Sequence, residues 1–592
     1  MRGRIRAALA TGVLVTTIGS GAALALPVAA AARVAASRAA APSRTAAEPM
    51  SPKTRLLQQQ LATGRATRTA ARPQFLSTVN CTSSWSTVIS PNASAGRNVL
   101  TALAANAPND MWGVGFYVNG SSVYQTLAEH WDGNDWSVIP TVNVGPGNNL
   151  FQSVTAISAT DVWAVGYWRP GTSGPAQPLT EHWNGNGWTV IPAPLAPNSS
   201  TPLYSVSASA SNEVWAVGIS INYPGDATLG PRAHAYALHW NGSNWSSVAT
   251  AALFAPFSGP GVDVMGLSGV KVLSPTNAWA VGDGQDYTGN TPVSPDMAFI
   301  EHWDGSSWSQ FSAPTGVAPT HANGDFLVDV QGTANDLWAV GGKNQAYQSF
   351  ADDALIEHWN GTSWAEVAAP APSPAAQSAN LFALGYVDAN NVYAAGATAS
   401  NPFTTSELDQ TLIERWNGST WSQMSSMNPS GNDGLVAVAA ISTSDLWAAG
   451  FMQFTGAPQQ TLTENLCSPP VVTNVTPSSG DGGTSVVITG TGFSHALDVK
   501  FGATPAFAFH VNSDTQITAT SPGHKAGVVD IRVTVQATSV AASADQFTYL
   551  GSRSGPGAGT GKPFPGRTIP PPPTHALPLR PGAVPRTAPS PI

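Results

Sequence analysis

A repeat that runs through residues 81–467 constrains the fold of this 592-residue chain more than any other feature. Each unit contains a block of the form Asp-Val-Trp-Ala-Val-Gly, a variable stretch, and a block of the form Glu-His-Trp-Asn-Gly-x-x-Trp. Alternating apolar residues, an apolar run and an Asn-Gly turn predict four β-strands, a to d, in each unit. The first block occurs seven times, 51 to 64 residues apart, at Met111–Gly115, Val162–Gly166, Val214–Gly218, Ala278–Gly282, Leu337–Gly341, Val392–Gly396 and Leu446–Gly450.

The second block is split between the two ends of the repeat region in its seventh copy. This copy begins at Glu464 and stops at Cys467, and the missing half matches Cys81–Trp85. We therefore predict an all-β fold in which residues 78–468 form a seven-bladed β-propeller closed by the N-terminal strand. Because Cys81 and Cys467 share one repeat column, we predict a disulfide between them. The six complete copies are Glu129–Trp136, Glu181–Trp188, Leu238–Trp245, Glu301–Trp308, Glu357–Trp364 and Glu414–Trp421.

The net charge of −9 is unevenly distributed along the chain. Residues 1–80 carry +10 and residues 551–592 carry +5, which leaves −24 on residues 81–550. A folded region this acidic repels phosphate backbones, so we expect no nucleic-acid partner. We also expect no cofactor and no metal, because the sequence contains no Walker loop and no His-Glu-x-x-His motif. Calcium binding by Asp283, Asp286 and Asn290 is the alternative.

The two ends of the chain predict a secreted protein. Arg2, Arg4 and Arg6, the apolar run Ala7–Ala25 and its small-residue end predict a signal peptide at 1–32, with a retained membrane anchor as the alternative. An Ala- and Arg-rich linker is predicted at 33–77 and a disordered Pro- and Gly-rich tail at 551–592. No other apolar run is long enough to span a membrane, so we expect an extracellular monomer that can associate with a cell wall.

Two segments resemble known families. The run from Leu337 to Gly342, followed by the run from Ile356 to Trp364, resembles a blade of kelch-like or galactose-oxidase-like propellers, although only this copy has the family's Gly-Gly. Residues 469–550 resemble an IPT/TIG domain through Val475–Gly480, Ile488–Phe493 and Phe547–Tyr549. The second resemblance implies an immunoglobulin-like β-sandwich that acts as a spacer or an interaction module.

Most of the chemically distinctive side chains fall in repeat columns. Nineteen of the 20 tryptophans do so, and Trp168 is the exception. Five histidines share one column, and we interpret them as inter-strand hydrogen-bonding groups, because side chains on different blades are too far apart to share a metal ion. The same interpretation applies to the six glutamates of the neighbouring column. The histidines are His130, His182, His239, His302 and His358.

Binding residues are expected where the repeat is irregular. The b–c connections are longer in the third and fourth units, and the b–c and d–a connections are expected on one face of the ring. Loops on a rigid scaffold commonly carry function, although neutral drift also lengthens loops. An off-column tryptophan can stack on a sugar ring, or it can pack on its own blade. The candidate ligand-binding residues are Trp168, Arg169, Tyr223, Asp226, Arg232, His234, Asp286, Tyr287, Asp296, His321, Asp325 and Tyr347.

We interpret the chain as a non-catalytic protein that binds extracellular or cell-surface carbohydrate, and we assign no catalytic residues. A copper site like that of galactose oxidase would need a cysteine, and both cysteines are assigned to ring closure. The first alternative is an extracellular glycoside hydrolase or lyase, which would need two loop carboxylates about 5–10 Å apart. The second alternative is a scaffold that binds surface proteins.

Overall fold

The computed structural model describes residue 81 and residues 83–171, 174–195, 199–222, 232–251, 262–288, 291–292, 297–311, 325–344, 352–372, 378–399, 409–493, 496–535 and 537–551. The predicted signal peptide and linker, and the predicted tail beyond Gly551, lie outside these residues. The described part consists of β-strands and connections, with one 3-10 helix at Ser543–Asp545. None of its segments forms an apolar helix of membrane-spanning length.

Five antiparallel sheets of the repeat region have four strands each, paired in the order of the chain except where β1 joins the last unit. The strands are β1 (Trp85–Val88), β2 (Asn98–Ala107), β3 (Asp110–Val118), β4 (Tyr124–Trp131), β5 (Trp136–Val138), β6 (Asn149–Ser158), β7 (Asp161–Trp168), β8 (Gln177–Trp183), β9 (Trp188–Val190), β20 (Asp325–Thr333), β21 (Asp336–Asn344), β22 (Asp352–Trp359), β23 (Trp364–Glu366), β24 (Ser378–Asp388), β25 (Asn391–Ala399), β26 (Asp409–Trp416), β27 (Trp421–Met424), β28 (Asp433–Ser442), β29 (Asp445–Met452) and β30 (Gln460–Cys467).

The third and fourth units are joined in one ten-stranded sheet, whereas the repeat predicts two separate sheets. A parallel bridge between Ala233 and Val264 connects them. It forms where the strands of these units continue into the long connections. The strands are β10 (Ser199–Ser200), β11 (Leu203–Ala210), β12 (Glu213–Asn222), β13 (Arg232–Trp240), β14 (Trp245–Val248), β15 (Val262–Ser274), β16 (Asn277–Thr288), β17 (Thr291–Pro292), β18 (Met297–Trp303) and β19 (Trp308–Phe311).

The sheets are arranged around a closed circle. The first strand of each unit contacts the first strand of the next, from β2 through β6, β11, β15, β20 and β24 to β28, and β28 contacts β2. The N-terminal strand β1 pairs with β30, with Trp85 opposite Leu466. Cys81 and Cys467 form a disulfide with a Cα–Cα distance of 4.6 Å. Closure by the N-terminal strand and by this disulfide, both predicted from the split repeat, is therefore confirmed.

Tryptophan columns hold neighbouring units together. The ring of Trp112 on β3 lies 4.9 Å from that of Trp183 in the next unit. The last unit packs on the first in the same way, with 4.8 Å between Trp447 and Trp131. Aromatic pairs of this geometry contribute about 0.5–1.5 kcal/mol each beyond the area they bury. The contact recurs between Trp163 and Trp240, Trp215 and Trp303, Trp279 and Trp359, and Trp338 and Trp416.

The glycine that ends each first block is required by a close backbone contact. The first strand of each unit has a register shift opposite this glycine, as between Phe151 and Ser153. A Cβ atom on Gly166 would lie 2.0 Å from the carbonyl oxygen of Leu150, well inside van der Waals contact. Glycine therefore recurs because no side chain fits there. The equivalent glycines are Gly115, Gly218, Gly282, Gly341, Gly396 and Gly450.

Residues 471–549 form a separate β-sandwich of two sheets. One core contains buried side chains from both sheets, including Val486 and Ile488 from one and Phe501, Ile531 and Phe547 from the other. The alternating apolar residues of these strands thus face a single core, as the sequence predicts. The strands are β31 (Val471–Thr476), β33 (Ser485–Thr491), β36 (Ala508–Ser513) and β37 (Gln516–Thr520) in one sheet, and β32 (Ser479–Gly480), β34 (Asp498–Phe501), β35 (Thr504–Pro505), β38 (Gly527–Thr534) and β39 (Gln546–Tyr549) in the other.

Candidate ligand-binding face

Four of the five histidines of the column make the predicted inter-strand hydrogen bonds. The Nε2 atom of His130 lies 2.7 Å from the carboxylate of Asp110, which begins the preceding strand. Asn277 replaces the acid beside His302, and Arg415 bonds the side chain of Asn391 in the unit without a histidine. These side chains are engaged within their own sheets, so we assign them to the scaffold. His182 bonds Asp161 and His358 bonds Asp336 in the same way. The Nε2 atom of His239 lies 3.1 Å from Glu213 without a hydrogen bond, and that carboxylate oxygen accepts one from the indole N–H of Trp215.

The glutamate column is buried, and four of its members tie their unit to the segment that precedes it. Glu181 accepts a hydrogen bond of 3.1 Å from the backbone N–H of Val142, and Glu464 accepts one of 3.2 Å from Met427. Burial raises the pKa of most of these carboxyls to about 8 and that of Glu301 to about 7. Because the repeat puts one such group in almost every unit, we assign them to the scaffold as well.

The first strands of the units surround a small central cavity. Several of its polar side chains connect one unit to the next. The hydroxyl of Ser153 accepts a hydrogen bond from the N–H of Val206, and a carboxylate oxygen of Asp329 accepts one of 2.8 Å from the N–H of Leu384. These contacts give the polar lining a structural role, so we assign it to the scaffold.

We call the end of the ring that carries the b–c and d–a connections the loop face. Trp168 is the last residue of β7 and lies there, opposite Asn149, the first residue of β6. It is half-buried and packs against apolar residues of its neighbourhood. A Cβ atom on Gly145 would be 3.6 Å from its ring, so the connection between β5 and β6 passes directly beneath it. The side chain is thus supported by the scaffold at the edge of the face.

Arg169 continues from Trp168 on the same face. Its guanidinium donates a hydrogen bond to the carbonyl of Gly174 and lies 5.9 Å from the ring centre of Tyr167. Its backbone N–H donates to the carbonyl of Asn148. The neighbouring connection therefore holds the backbone of Arg169, while its side chain contacts its own loop.

Four other candidates share the ten-stranded sheet. Arg232 and His234 lie on β13 opposite Asn222 and Ser220, and His234 is exposed. Asp286 and Tyr287 lie on β16, where Asp286 is opposite Asp263 and Tyr287 is opposite Val262. The parallel bridge between β13 and β15 brings these strand ends into one continuous sheet. This sheet therefore contains four of the candidates, Arg232, His234, Asp286 and Tyr287.

The remaining candidates are not gathered with these. Asp325 begins β20 on a different sheet, opposite Lys343, and is one of the acids that raise the pKa of Glu357. Asp325 thus lies on the unit that packs against the ten-stranded sheet and is not part of that sheet. Five candidates lie outside the described residues, namely Tyr223, Asp226, Asp296, His321 and Tyr347.

Sequence reasoning did not select three loop-face residues that adjoin Trp168 and Arg169. Arg97 precedes β2, Tyr124 begins β4, and Asn148 precedes β6. The side-chain oxygen of Asn148 accepts a hydrogen bond of 3.1 Å from the N–H of Tyr124. A comparison of charge between the connections of different units would have singled out Arg97, because the first two units have no acid in theirs.

Residues 470–549 match the family model of the IPT/TIG domain. The chain is thus an all-β protein with propeller-like four-stranded sheets and a C-terminal IPT/TIG domain. No curated protein matches it in sequence.

Solved structures with a similar fold have low sequence identity and low TM-scores. YCF48 from Cyanidioschyzon merolae is 15% identical, with 65% of this chain and 99% of that chain covered and a TM-score of 0.37. A fungal alcohol oxidase of the AA5 family in complex with copper is 10% identical, with 77% and 100% covered and a TM-score of 0.38. A PL25 ulvan lyase is 10% identical, with 62% and 94% covered and a TM-score of 0.39. At these TM-scores, the similarities carry no inference about activity.

Proposed function

We propose that the ring is a seven-bladed propeller of the kelch-like class, in which the ten-stranded sheet counts as two blades. The seven copies of the first block support this count. We also propose that the protein is secreted by a signal peptide at 1–32. The disulfide between Cys81 and Cys467 supports an oxidising, extracytoplasmic compartment, because such bonds are rare among proteins of the cytosol.

We propose that this protein is a non-catalytic monomer that binds extracellular or cell-surface carbohydrate through the loop face. The observation that carries the proposal is the position of Trp168. It is the single tryptophan outside the repeat columns, and it is half-exposed at the end of a strand that the scaffold holds in place. A rigidly supported indole presents a flat apolar surface, which complements the C–H face of a sugar ring.

Polar groups further along the loop face support the same proposal. Four candidates, Arg232, His234, Asp286 and Tyr287, lie near the strand ends of the ten-stranded sheet. Residues of these types hydrogen-bond sugar hydroxyls well. Their shared sheet extends the surface beyond Trp168 across two units. An extended face of this kind suits a polymer better than a single sugar, because several weak contacts can then act together.

Incubation of the full chain with a panel of soluble and insoluble polysaccharides tests this function. Retained protein and released reducing sugar are measured on the same samples. We expect retention on at least one polysaccharide without release of sugar. Release would contradict the non-catalytic assignment and direct attention to the loop carboxylates, whereas absence of any retention would contradict carbohydrate binding altogether.

A protein-binding scaffold is the second candidate, and the surface of the IPT/TIG domain favours it. Phe507 is 84% exposed, and Val540, Leu550 and Val528 are 75%, 62% and 58% exposed. Large exposed apolar side chains are common at sites of protein contact. If no polysaccharide retains the protein, crosslinking in the culture medium is expected to capture a protein partner through this domain.

A further inference from the structure

Charge is unevenly distributed over the loop face. The connections of the first two units carry Arg97 and Arg169 and contain no Asp or Glu, within a region whose net charge is −24. The corresponding segments of the third to fifth units are rich in aspartate, such as Asp226, Asp286 and Asp325. The connections of the first two units are therefore cationic, whereas those of the third to fifth units are acidic. The cationic connections are residues 89–97, 118–124, 139–148, 168–177 and 191–202.

Arg97 is a half-buried cation that no carboxylate of the described residues neutralises. Burial lowers the pKa of its guanidinium, and the one side chain acting against that shift, among those described, is the phenol of Tyr124. A phenol can accept hydrogen bonds from only some of the five N–H donors of a guanidinium, and it supplies no charge at neutral pH. A partly desolvated guanidinium of this kind interacts strongly with an anion, because less water has to be displaced when the anion arrives.

The two arginines belong to one continuous strip of contacts. The side chain of Tyr124 is close enough to that of Arg97 to affect its pKa, and the backbone N–H of Tyr124 donates to the side chain of Asn148 at 3.1 Å. The carbonyl of Asn148 accepts a 2.8 Å hydrogen bond from the N–H of Arg169, and Trp168 precedes Arg169 in β7. The strip thus connects two arginine positions with the half-buried Trp168. It crosses from the first unit to the second, so both are held by the scaffold.

We propose that the strip formed by Arg97, Tyr124, Asn148, Trp168 and Arg169 binds an anionic sugar, so that the ligand is an acidic polysaccharide carrying carboxylate or sulfate groups. This inference rests on the proposed carbohydrate-binding function and names its substrate class. The planar fork of Arg97 matches the two oxygens of either anion, while Trp168 stacks on the ring. The acidic connections of the third to fifth units repel such a polymer, so it is directed to this strip.

Two matched pairs of soluble polymers test the proposal with the full chain at about 0.15 M salt, where weak long-range attraction is screened. One pair is polygalacturonate and its methyl ester, and the other is dextran sulfate and dextran. We expect the acidic member of a pair to bind at least about tenfold more tightly than the neutral member. The pair that shows this preference identifies the anion as carboxylate or sulfate.

Variants assign the preference to Arg97. Arg97→Gln is expected to abolish it, and Arg97→Lys, which keeps the charge but loses the fork, to leave an intermediate preference. Lys525→Gln removes an exposed charge from the IPT/TIG domain and is expected to change nothing. Thermal unfolding, measured by tryptophan fluorescence, shows whether each variant is folded. If Arg97→Gln does not fold, the loss of preference in Arg97→Lys still tests the proposal.

Each remaining outcome overturns a distinct claim. An acidic preference that persists in Arg97→Gln contradicts the proposed anion site. Equal binding of acidic and neutral members, lost in Trp168→Ala, also contradicts the anion site but leaves the carbohydrate-binding function intact. If none of the four polymers binds and the wider polysaccharide panel also retains no protein, both proposals are wrong.

Discussion

The folded protein is expected to become more stable as the pH is lowered from about 8 to about 5. The cause is the buried glutamate column, because burial raises the pKa of these carboxyls from the ordinary 4.5 to about 8 or, at Glu301, about 7. Between these values the folded protein keeps protons that the unfolded chain releases. Each such group therefore lowers the free energy of unfolding by about 1.4 kcal/mol per pH unit as the pH rises.

Thermal unfolding between pH 5 and pH 8 at constant ionic strength measures this dependence. Glu181→Gln provides a control, because the amide fits the same space, cannot ionise and should reduce the pH slope by about one proton. Leu238 occupies the column in the third unit, so an uncharged side chain is tolerated there. A melting temperature that stays constant or rises between pH 5 and pH 8 would contradict the protonated state of these glutamates.

Loss of the disulfide between Cys81 and Cys467 is expected to destabilise the ring by up to about 6 kcal/mol. The bond joins residues 386 positions apart and so restricts almost the whole propeller region in the unfolded chain. Without it, β1 is held by its backbone pairing with β30 and by the burial of Trp85 among apolar residues such as Tyr393. These contacts remain, so we expect the ring to fold but to open at a lower temperature.

Melting curves of Cys81→Ser, of the double variant with Cys467→Ser, and of reduced native protein measure this effect. All three are expected to agree, with a decrease in melting temperature on the order of 10 °C. The chain has two cysteines, so reduction affects no other bond. An unchanged melting temperature after verified reduction would show that strand pairing alone closes the ring.

The sequence was sufficient to predict the features that the repeat imposes in every unit. A residue that recurs in one column has the same surroundings each time, so the role of the histidines could be inferred from one unit. The role of the glycine after Trp-Ala-Val was explained by the structure, again from one unit. Ring closure followed because the split copy placed Cys81 and Cys467 in equivalent positions. These are properties of spacing, which a single sequence records directly.

The features that sequence analysis missed depend on single residues and on the paths of the connections. The third and fourth units merge because Ala233 meets Val264, a contact between two segments of unrelated sequence. Arg97 occurs once, outside every column, and its significance comes from a neighbourhood that contains Tyr124 and, among the described residues, no carboxylate partner. Such surroundings are assembled from separate connections, so spacing along the chain does not reveal them.

Replacement of Trp168 tests the central claim, that the loop face binds carbohydrate, most directly. The measurement is the affinity of the full chain for the polysaccharide that retains it, with Trp168→Phe to preserve an aromatic ring and Phe507→Ala as a control at an exposed aromatic of the other domain. Trp168→Ala is predicted to weaken binding about tenfold or more, because the indole contributes roughly 1.5–3 kcal/mol through buried area and stacking. Trp168→Phe is predicted to lose less, and Phe507→Ala to bind normally. Unchanged affinity in a folded Trp168→Ala protein would contradict the account.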